Sequence, residues 1–379
     1  MAKIVVEQLD PALPFGARVK GLTRDLTEDA EVRAELNRVF EDRGMIVFEG
    51  VEATPEMQAA VSTVFGPLKD HPVPSVDRAD AEDKRLVGVI EITNHPGSGI
   101  VEIDGEQLVT WQPWHFDHAY NNELNRAGVL RSITIAGRGG RTAFADGIQI
   151  YNAMDPEILK KAEGVEVLYN LDLRYGEQRF GLPENFRVIK EHDSTLHEDA
   201  KKMPCAIHPV LWTRESGERV FHMCPYGVRG IVGDRSVAAY ALLDEIWREA
   251  MRVIKPYHHE WRIDDMVIWD NWRMLHEATG CPPDEPRAVH RTTIKGDYGL
   301  GRFEDWPRVE EMAGTATPRQ APVRATPHRD TISLSLSGPR GFRCAGARGF
   351  QAPGFPHSLP SRDGRDSWHG RASTWPSRH

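Results

Sequence analysis

The spacing of apolar residues along the chain predicts two early helices and a series of short strands. Apolar residues recur at helical spacing over residues 30–43, and the following run, Met45-Ile46-Val47-Phe48, is typical of a buried strand. Thr54-Pro55 combines an N-cap residue with a proline in the first turn, so it predicts a second helix that ends before Gly66-Pro67. Further strands are expected at residues 86–93, 129–136, 165–171, 206–212 and 266–269, with helices opening at Asp155-Pro156 and covering 235–254.

The order of these elements favours a β-rich α+β fold. Short strands separated by turn residues, without an alternation of strands and crossover helices, are typical of a barrel or jelly roll and not of a doubly wound sheet. The chain also has no internal repeat and no glycine-rich loop of the kind that cradles phosphate groups. We therefore expect a barrel or jelly roll with helices around it.

The composition narrows the functional class. Hydrophobic residues make up 40% of the 379 residues, the mean hydropathy is -0.48, and the formal net charge is -9. This acidic balance argues against a nucleic-acid partner, and no apolar stretch approaches the roughly 18 residues of a membrane span. The four cysteines form no CxxC pair, and the N-terminal residues lack the apolar run of a signal peptide. We expect a cytoplasmic protein with reduced thiols.

The composition changes near Gly314. Residues 315–379 contain ten Arg, eight Pro and seven Gly but no Lys, Glu or Tyr. This predicts a folded domain at residues 1–314 and a disordered Arg/Pro/Gly/Ser-rich tail at residues 315–379. Two origins are open for the tail: a genuine disordered extension, or the product of a shifted reading frame in GC-rich DNA.

Metal-binding chemistry is indicated by the run Trp114-His115-Phe116-Asp117. On a strand, His115 and Asp117 lie at positions i and i+2 and point to the same face. Two histidines and one carboxylate, with open coordination positions left over, are the ligand set of non-haem iron(II) oxygenases. The pattern alone is weak, because His197-Glu198-Asp199 and His258-His259-Glu260 repeat it, and a lone copy is more often a surface or core-edge histidine.

The downstream sequence supplies further groups. A buried strand at residues 266–269 leads into a turn at Asp270-Asn271 and then to His276, a candidate ligand. Arg287 and Arg291 follow His276 by 11 and 15 residues and share one face of a strand. A guanidinium near a metal is a planar fork for a carboxylate, whereas an isolated arginine is usually a surface charge.

Together these runs resemble the taurine/dichlorophenoxyacetate dioxygenases, the TauD/TfdA family, from about residue 15 to residue 303. Five pieces match in family order: Phe65-Gly66-Pro67, Trp114-His115-Phe116-Asp117, Gly139-Gly140-Arg141-Thr142, Trp269-Asp270-Asn271 with His276, and Arg287 with His290-Arg291. The resemblance implies a double-stranded β-helix, or jelly-roll, core. It also implies a dioxygenase that uses Fe(II), 2-oxoglutarate and oxygen, hydroxylates a small anionic molecule (a sulfonate, an aryloxy-acid or another carboxylate), and releases succinate and carbon dioxide.

The same resemblance implies a role for each matching position. The expected iron ligands, which form the catalytic centre, are His115, Asp117 and His276. The residues expected to bind organic anions are Thr142 and Arg287 for 2-oxoglutarate, and His71, Trp111 and Arg291 for the substrate. Relatives are often oligomers, so we expect a homodimer or homotetramer.

The substrate side departs from the taurine enzymes. Trp111 stands where they carry a substrate-contacting asparagine, and Pro74 stands where they carry a tyrosine. Together with Phe116 and Tyr120, Trp111 indicates a bulkier or aromatic substrate, although the same aromatic residues are equally explained as core packing.

Two other functions are left open by the residues. A cupin-like hydrolase or isomerase could use zinc or iron in the same triad and would not need Arg287 or Thr142. A catalytically silent, ligand-binding member of the fold is disfavoured because all three ligand positions are occupied. Strict dependence on 2-oxoglutarate distinguishes the dioxygenase from both.

Overall fold

The computed structural model of the protein describes residues 3–70, 88–171, 174–193 and 203–304. The predicted tail at residues 315–379 lies outside the described residues, so the division near Gly314 stays a prediction. His71, predicted to bind substrate, and the repeated pattern at His197 also lie outside them.

Helix boundaries follow the capping signals in the sequence. Helix α1 (Ala30–Arg43) begins after Asp29, whose carboxylate accepts hydrogen bonds from two amides of the first turn, and it ends at Gly44 with a φ of 74°. Helix α2 (Pro55–Phe65) begins after Thr54, whose hydroxyl caps the first turn. The remaining helices are α3 (Gly147–Ala153), α4 (Pro156–Ala162) and α5 (Val237–Val253), with short 3-10 turns at Asp25–Glu28 and Tyr175–Glu177.

Two large sheets form the body of the protein. In spatial order, the first contains β1 (Val5–Gln8), β2 (Ala17–Lys20), β3 (Met45–Glu49), β16 (Met266–Asp270), β7 (Ala127–Thr134), β18 (Ala288–Ile294) and β4 (Val89–Thr93). The second contains β10 (Arg187–Lys190), β5 (Ile100–Ile103), β6 (Glu106–His115), β17 (Met274–Cys281), β8 (Thr142–Asp146) and β15 (Tyr257–His259). Within these two sheets the described neighbours pair antiparallel, except the parallel pair β2 and β3.

Two smaller sheets lie beside them. The four-stranded one contains β14 (Val228–Ile231), β9 (Glu166–Tyr169), β11 (Ala206–Pro209) and β19 (Arg302–Phe303). The two-stranded one pairs β12 (Leu211–Thr213) with β13 (Arg219–Phe221). The single strand predicted at residues 206–212 is therefore wrong. The chain instead leaves the sheet at Val210, whose amide donates to the Val165 carbonyl and whose own carbonyl accepts from the His222 amide.

Side chains from both large sheets meet in one core. Phe144 of β8 and Met274 of β17 pack in the same buried cluster as Val47, Val267 and Trp269 of the first sheet. Two mainly antiparallel sheets that share an inner core are the arrangement of a jelly roll. The predicted β-rich fold with a jelly-roll core and flanking helices is confirmed.

Helices cover the outer sides of both sheets. Leu36 and Phe40 of α1 and Val61 of α2 pack with Ile46 and Ile268 of the first sheet. A separate cluster joins α5 and the four-stranded sheet to the second large sheet through Ala145 and Leu275, among others. Among the helices described, none combines the length and the apolar composition that crossing a membrane requires.

Candidate active site

Two of the predicted ligands are neighbours across a pair of strands. His115, the last residue of β6, lies directly opposite His276 of β17. Residues that face each other in an antiparallel pair project from the same face of the sheet. The two imidazole rings accordingly lie with their centroids 4.0 Å apart. The His276 ring also contacts Trp269 and Phe144 in the inner core, at 4.7 Å and 6.2 Å between centroids.

Asp117 lies beside the two imidazoles, but the backbone that positions it differs from the prediction. Strand β6 ends at His115, and Asp117 lies in the turn that follows, so the prediction that a strand aligns His115 with Asp117 is wrong. The turn is tied down by Asn271, whose side-chain oxygen accepts from the Asp117 amide at 2.7 Å and whose side-chain nitrogen donates to the Asp117 carbonyl at 3.0 Å. The carboxylate oxygen Oδ1 of Asp117 thus lies 3.9 Å from Nε2 of each histidine.

The protonation states of these groups suit metal binding. Nδ1 of His115 lies 2.7 Å from the Pro113 carbonyl, which only accepts, so Nδ1 carries the proton and the lone pair of Nε2 faces the cluster. Burial lowers the pKa of both imidazoles, so both are neutral near pH 7. Burial raises the pKa of the Asp117 carboxyl, but the positive charge of Arg291 beside it lowers the pKa, and the net shift is well below the usual value, so the carboxyl is ionised.

The donor set matches that of a divalent transition metal. Two neutral imidazoles and one carboxylate converge, and Asp117 Oδ2 is buried without a hydrogen-bond partner among the described residues. An unsatisfied buried carboxylate oxygen is costly unless a cation or water completes it. In the described part of the chain, this is the one group of three or more His, Cys, Asp or Glu with the proximity that a metal needs.

Arg291 contacts the same carboxylate. Its Nη1 lies 2.5 Å from Asp117 Oδ1; the Asp117 side chain is buried and the Arg291 side chain is partly buried. It projects from β18, where His290, the preceding residue, points to the opposite side and approaches Glu91. Arg291 therefore brings a positive charge to the inner face, next to the triad.

Thr142 lies on the same face as the triad. Strand β8 runs beside β17, with Phe144 opposite His276 and Thr142 opposite Ala278. Thr142 is therefore two residues, or about 7 Å of strand, from the row of imidazoles. It is buried, and its hydroxyl oxygen accepts a hydrogen bond from the Trp261 indole nitrogen at 3.1 Å.

Arg287 lies immediately before β18 and is 4% exposed. Its guanidinium has one long hydrogen bond within the described chain, 3.4 Å to the Gly140 carbonyl, and no carboxylate among the described residues pairs with it. It lines a cavity of about 250 Å³ with Ser132, Thr134 and Trp261. Burial lowers the pKa of Arg287, but arginine remains charged in proteins. The cavity thus offers an unpaired cation for an anionic group.

The register turns Trp111 away from the triad. Ala278, on the face of His276, lies opposite Gln112, whereas Trp111 lies opposite Thr279 on the other face. The Trp111 ring contacts Tyr175 and Phe186, at 5.5 Å and 5.3 Å between centroids. An irregularity in the pairing of β6 with β17 causes this offset. Its local signal is Pro113, which lies in the irregular stretch and cannot donate to the ladder. The substrate role of Trp111 stays a prediction, and Gln112 is the residue of this pair that faces the triad.

The other His-x-acid pattern within the described residues has a structural explanation. The histidine of that pattern, His258, is exposed on β15, and Glu260 forms a surface ion pair with Arg141 at 2.6 Å. The intervening His259 is buried against Trp261. Sequence reasoning also missed Trp261, which looks like one of many core aromatics until its hydrogen bond to Thr142 is seen.

Comparison with known proteins agrees with this geometry. A sequence-family profile described as "Taurine catabolism dioxygenase TauD, TfdA family" matches residues 6–293. The chain is 24% identical over 287 residues to an (S)-phenoxypropionate/alpha-ketoglutarate-dioxygenase of Sphingobium herbicidovorans, and the alignment covers 75% of this chain and 92% of that protein. It is 24% identical over 298 residues to an alpha-ketoglutarate-dependent 2,4-dichlorophenoxyacetate dioxygenase of Cupriavidus pinatubonensis, and the alignment covers 78% of this chain and 98% of that protein.

A solved structure shares the fold. It is the crystal structure of AAD-2 in complex with Mn(II) and N-oxalylglycine, with a TM-score of 0.61 and 19% sequence identity. The match covers 79% of this chain and 100% of that one.

Proposed function

The chain belongs to the TauD/TfdA family of dioxygenases, and we propose that it hydroxylates a small anionic organic molecule at the expense of 2-oxoglutarate and oxygen. The observation that carries the proposal is the buried group His115, Asp117 and His276, with its unpartnered carboxylate oxygen. In the overall reaction, one oxygen atom enters the substrate as a hydroxyl and the other enters succinate, while 2-oxoglutarate loses carbon dioxide.

We assign iron(II) to the triad. His115 and His276 would bind it through Nε2 and Asp117 through its carboxylate, a set that leaves positions for a co-substrate and oxygen. Bound there, iron supplies the oxygen activation that no side chain can perform. The chain holds these ligands in place through the Pro113 carbonyl, which fixes the tautomer of His115, and through Asn271, which fixes the turn of Asp117.

We assign the distal carboxylate of 2-oxoglutarate to Arg287 and Thr142. A carboxylate would pair with the buried guanidinium and accept a hydrogen bond from the hydroxyl, which satisfies both groups at once. Both dioxygenase relatives carry alpha-ketoglutarate, that is 2-oxoglutarate, in their names. The AAD-2 structure, which shares the fold, was crystallised with N-oxalylglycine. This supports a dicarboxylate in the cavity beside Arg287.

We assign the anionic group of the substrate to Arg291. Its guanidinium lies against Asp117, so an anion bound to it would hold the rest of the substrate beside the metal. The relatives named for phenoxypropionate and dichlorophenoxyacetate act on aryloxy-acids, which favours a carboxylate on an aromatic ether as the first class to test.

Succinate release tests the proposal. Protein loaded with iron(II) without air is exposed to oxygen with 2-oxoglutarate and a panel of aryloxy-acids, sulfonates, sulfate esters and amino acids. We expect one class to increase succinate release in proportion to hydroxylated product, and Asp117→Ala to abolish the release. If wild-type protein releases no succinate under any condition, including the slow reaction without substrate, the proposed function is wrong.

A further inference from the structure

Trp261 makes one hydrogen bond, through its indole nitrogen, to a residue of the proposed 2-oxoglutarate site. It lines the cavity next to Arg287, and its indole nitrogen donates to the Thr142 hydroxyl oxygen at 3.1 Å. We propose that Trp261 is a positioning residue that orients the Thr142 hydroxyl as a donor to the distal carboxylate of 2-oxoglutarate. The inference rests on the proposed function, because it assumes that this carboxylate binds at Thr142 and Arg287.

The backbone brings Trp261 back over Thr142. Strand β15 pairs with β8 so that its last residue, His259, lies opposite Thr142. The chain then turns, and the Trp261 ring packs edge-on against the His259 ring, with 4.6 Å between centroids. This contact fixes the plane of the indole, so that its N–H points at the hydroxyl oxygen. On the surface, the Arg141–Glu260 ion pair links the two neighbouring residues of the same segments.

The direction of the hydrogen bond decides what Thr142 can do. An indole N–H only donates, so Thr142 must be the acceptor in this contact. A hydroxyl has one proton and two lone pairs, and its proton therefore remains available for another partner. Carboxylates only accept. A hydroxyl whose oxygen already accepts a hydrogen bond is also a stronger donor, because hydrogen bonds in a chain polarise one another.

The adjacent cation makes this orientation useful. Arg287 lines the same cavity and has no carboxylate partner within the described residues. A ligand carboxylate held by Arg287 would meet the Thr142 proton and not its lone pair, which would repel it. Trp261 thus acts on the affinity for 2-oxoglutarate through Thr142, without being required to touch the metal or the substrate.

Binding measurements separate this role from simple packing. Trp261→Phe keeps an aromatic ring and removes the N–H. Calorimetry on Mn(II)-loaded protein without oxygen gives the Kd of 2-oxoglutarate and of 2-oxobutyrate, which has the same keto-acid end but no distal carboxylate. We expect Trp261→Phe to weaken 2-oxoglutarate binding about five- to tenfold, the usual effect of losing one hydrogen bond between neutral groups, and to leave 2-oxobutyrate binding unchanged. In turnover, the KM for 2-oxoglutarate should rise while kcat changes little.

A double variant tests whether Trp261 acts through Thr142. Thr142→Val should weaken 2-oxoglutarate at least as much as Trp261→Phe, and Thr142→Val/Trp261→Phe should be no weaker than Thr142→Val alone, because the shared partner is already gone. Thr142→Ser, which keeps a hydroxyl, should retain most of the affinity. Trp212→Phe is the matched control, since its indole nitrogen has no hydrogen-bond partner within the described chain.

Three results would overturn the inference. They are equal losses for 2-oxoglutarate and 2-oxobutyrate in Trp261→Phe, additive losses in the double variant, or an unchanged Kd for 2-oxoglutarate. A failure of the proposed function looks different, because wild-type protein would then bind 2-oxoglutarate no better than 2-oxobutyrate and would release no succinate.

Discussion

Replacement of Arg287 by methionine should stabilise the ligand-free protein and at the same time weaken its binding of 2-oxoglutarate. The Arg287 side chain is buried, and its guanidinium has one long hydrogen bond to a backbone carbonyl and no carboxylate partner among the described residues. A buried cation without a counter-ion destabilises the folded state, because the lost hydration is not offset by Coulomb attraction. Methionine has a similar length and can occupy the same space without the charge.

The two effects have opposite signs and different sizes. Replacement of poorly compensated buried charges by apolar side chains raises the free energy of unfolding by about 1 kcal/mol or more. For a folded domain of about 300 residues, this corresponds to about 1 to 2 °C in Tm. Loss of a charge-assisted pair with a carboxylate costs about 2 to 3 kcal/mol, so the affinity for 2-oxoglutarate should fall about 30- to 150-fold.

Arg273→Met is the matched control. Arg273 is buried to the same degree as Arg287, but two of its nitrogens each lie 2.8 Å from an oxygen of the buried Asp146. Removing that guanidinium leaves the Asp146 carboxylate without its cation, and we expect a loss of about 3 to 5 kcal/mol in the free energy of unfolding.

Thermal unfolding with and without saturating 2-oxoglutarate measures both effects. Wild-type protein loaded with Mn(II) should gain Tm when the ligand is added, whereas Arg287→Met should start at a higher Tm and gain much less. The reasoning is refuted if ligand-free Arg287→Met loses stability as Arg273→Met does, since Arg287 would then be compensated in the folded protein. It is equally refuted if 2-oxoglutarate stabilises Arg287→Met as much as it stabilises the wild type.

Three further predictions concern other parts of the chain. Asn271→Ala removes both hydrogen bonds that hold the backbone of Asp117. We expect the Kd of Mn(II), measured by metal titration, to rise at least about tenfold, the usual effect of losing a residue that holds a metal ligand in place. An unchanged Kd would show that the turn keeps its conformation without Asn271. Burial raises the pKa of Asp265 from 3.8 to about 6, so the folded state holds this proton more tightly than the unfolded state, and the resulting stability is present below about pH 4 and lost as the pH rises to about 6. The free energy of unfolding of Asp265→Asn should therefore exceed that of wild type by up to about 3 kcal/mol at pH 7 to 8 and equal it near pH 4, as measured by denaturant unfolding at both pH values; a difference that does not depend on pH would contradict this. Deletion of residues 315–379 should leave succinate release and Tm unchanged, and an inactive truncation would show that the tail is part of the enzyme.

The parts of the fold that local chemistry determines could be predicted from the sequence. Helix α1 and helix α2 begin and end where their caps indicate, at Asp29, Gly44 and Thr54. The triad residues could also be named in advance, because their family spacing is a property of the sequence. Their meeting in space, however, depends on the pairing of β6 with β17, which joins segments about 160 residues apart.

The features that were missed depend on contacts between distant segments. The spacing of His115 and Asp117 predicts that both lie on one strand. In the structure, Asp117 lies in a turn after the strand, and the side chain of Asn271 holds that turn through two hydrogen bonds to the Asp117 backbone. One irregularity in the β6 ladder exchanges the faces of Trp111 and Gln112, since neighbouring residues on a strand point to opposite sides. The role proposed for Trp261 depends on one hydrogen bond between two segments, and the sequence alone does not show that Trp261 and Thr142 meet.

Arg287 lies immediately before β18, and Arg291 lies within the strand four residues later. This spacing affects which carbon of the substrate is hydroxylated. Extended chain sets their Cα separation at about 13 Å, and β18 is paired on both sides, regularly with β4 and with one irregularity with β7 between Ala288 and Val289. With the proposed roles, a single rigid segment anchors the co-substrate at one point and the substrate at another. The distance from the substrate's anion to the oxidised carbon is then set by the backbone. A homologue with a longer spacer between its anion and the rest of the molecule should therefore be hydroxylated at the same number of carbons from the anion, and so within the spacer instead of beyond it. An insertion of one residue between the two arginines would turn Arg291 to the outer face and uncouple the two anchors.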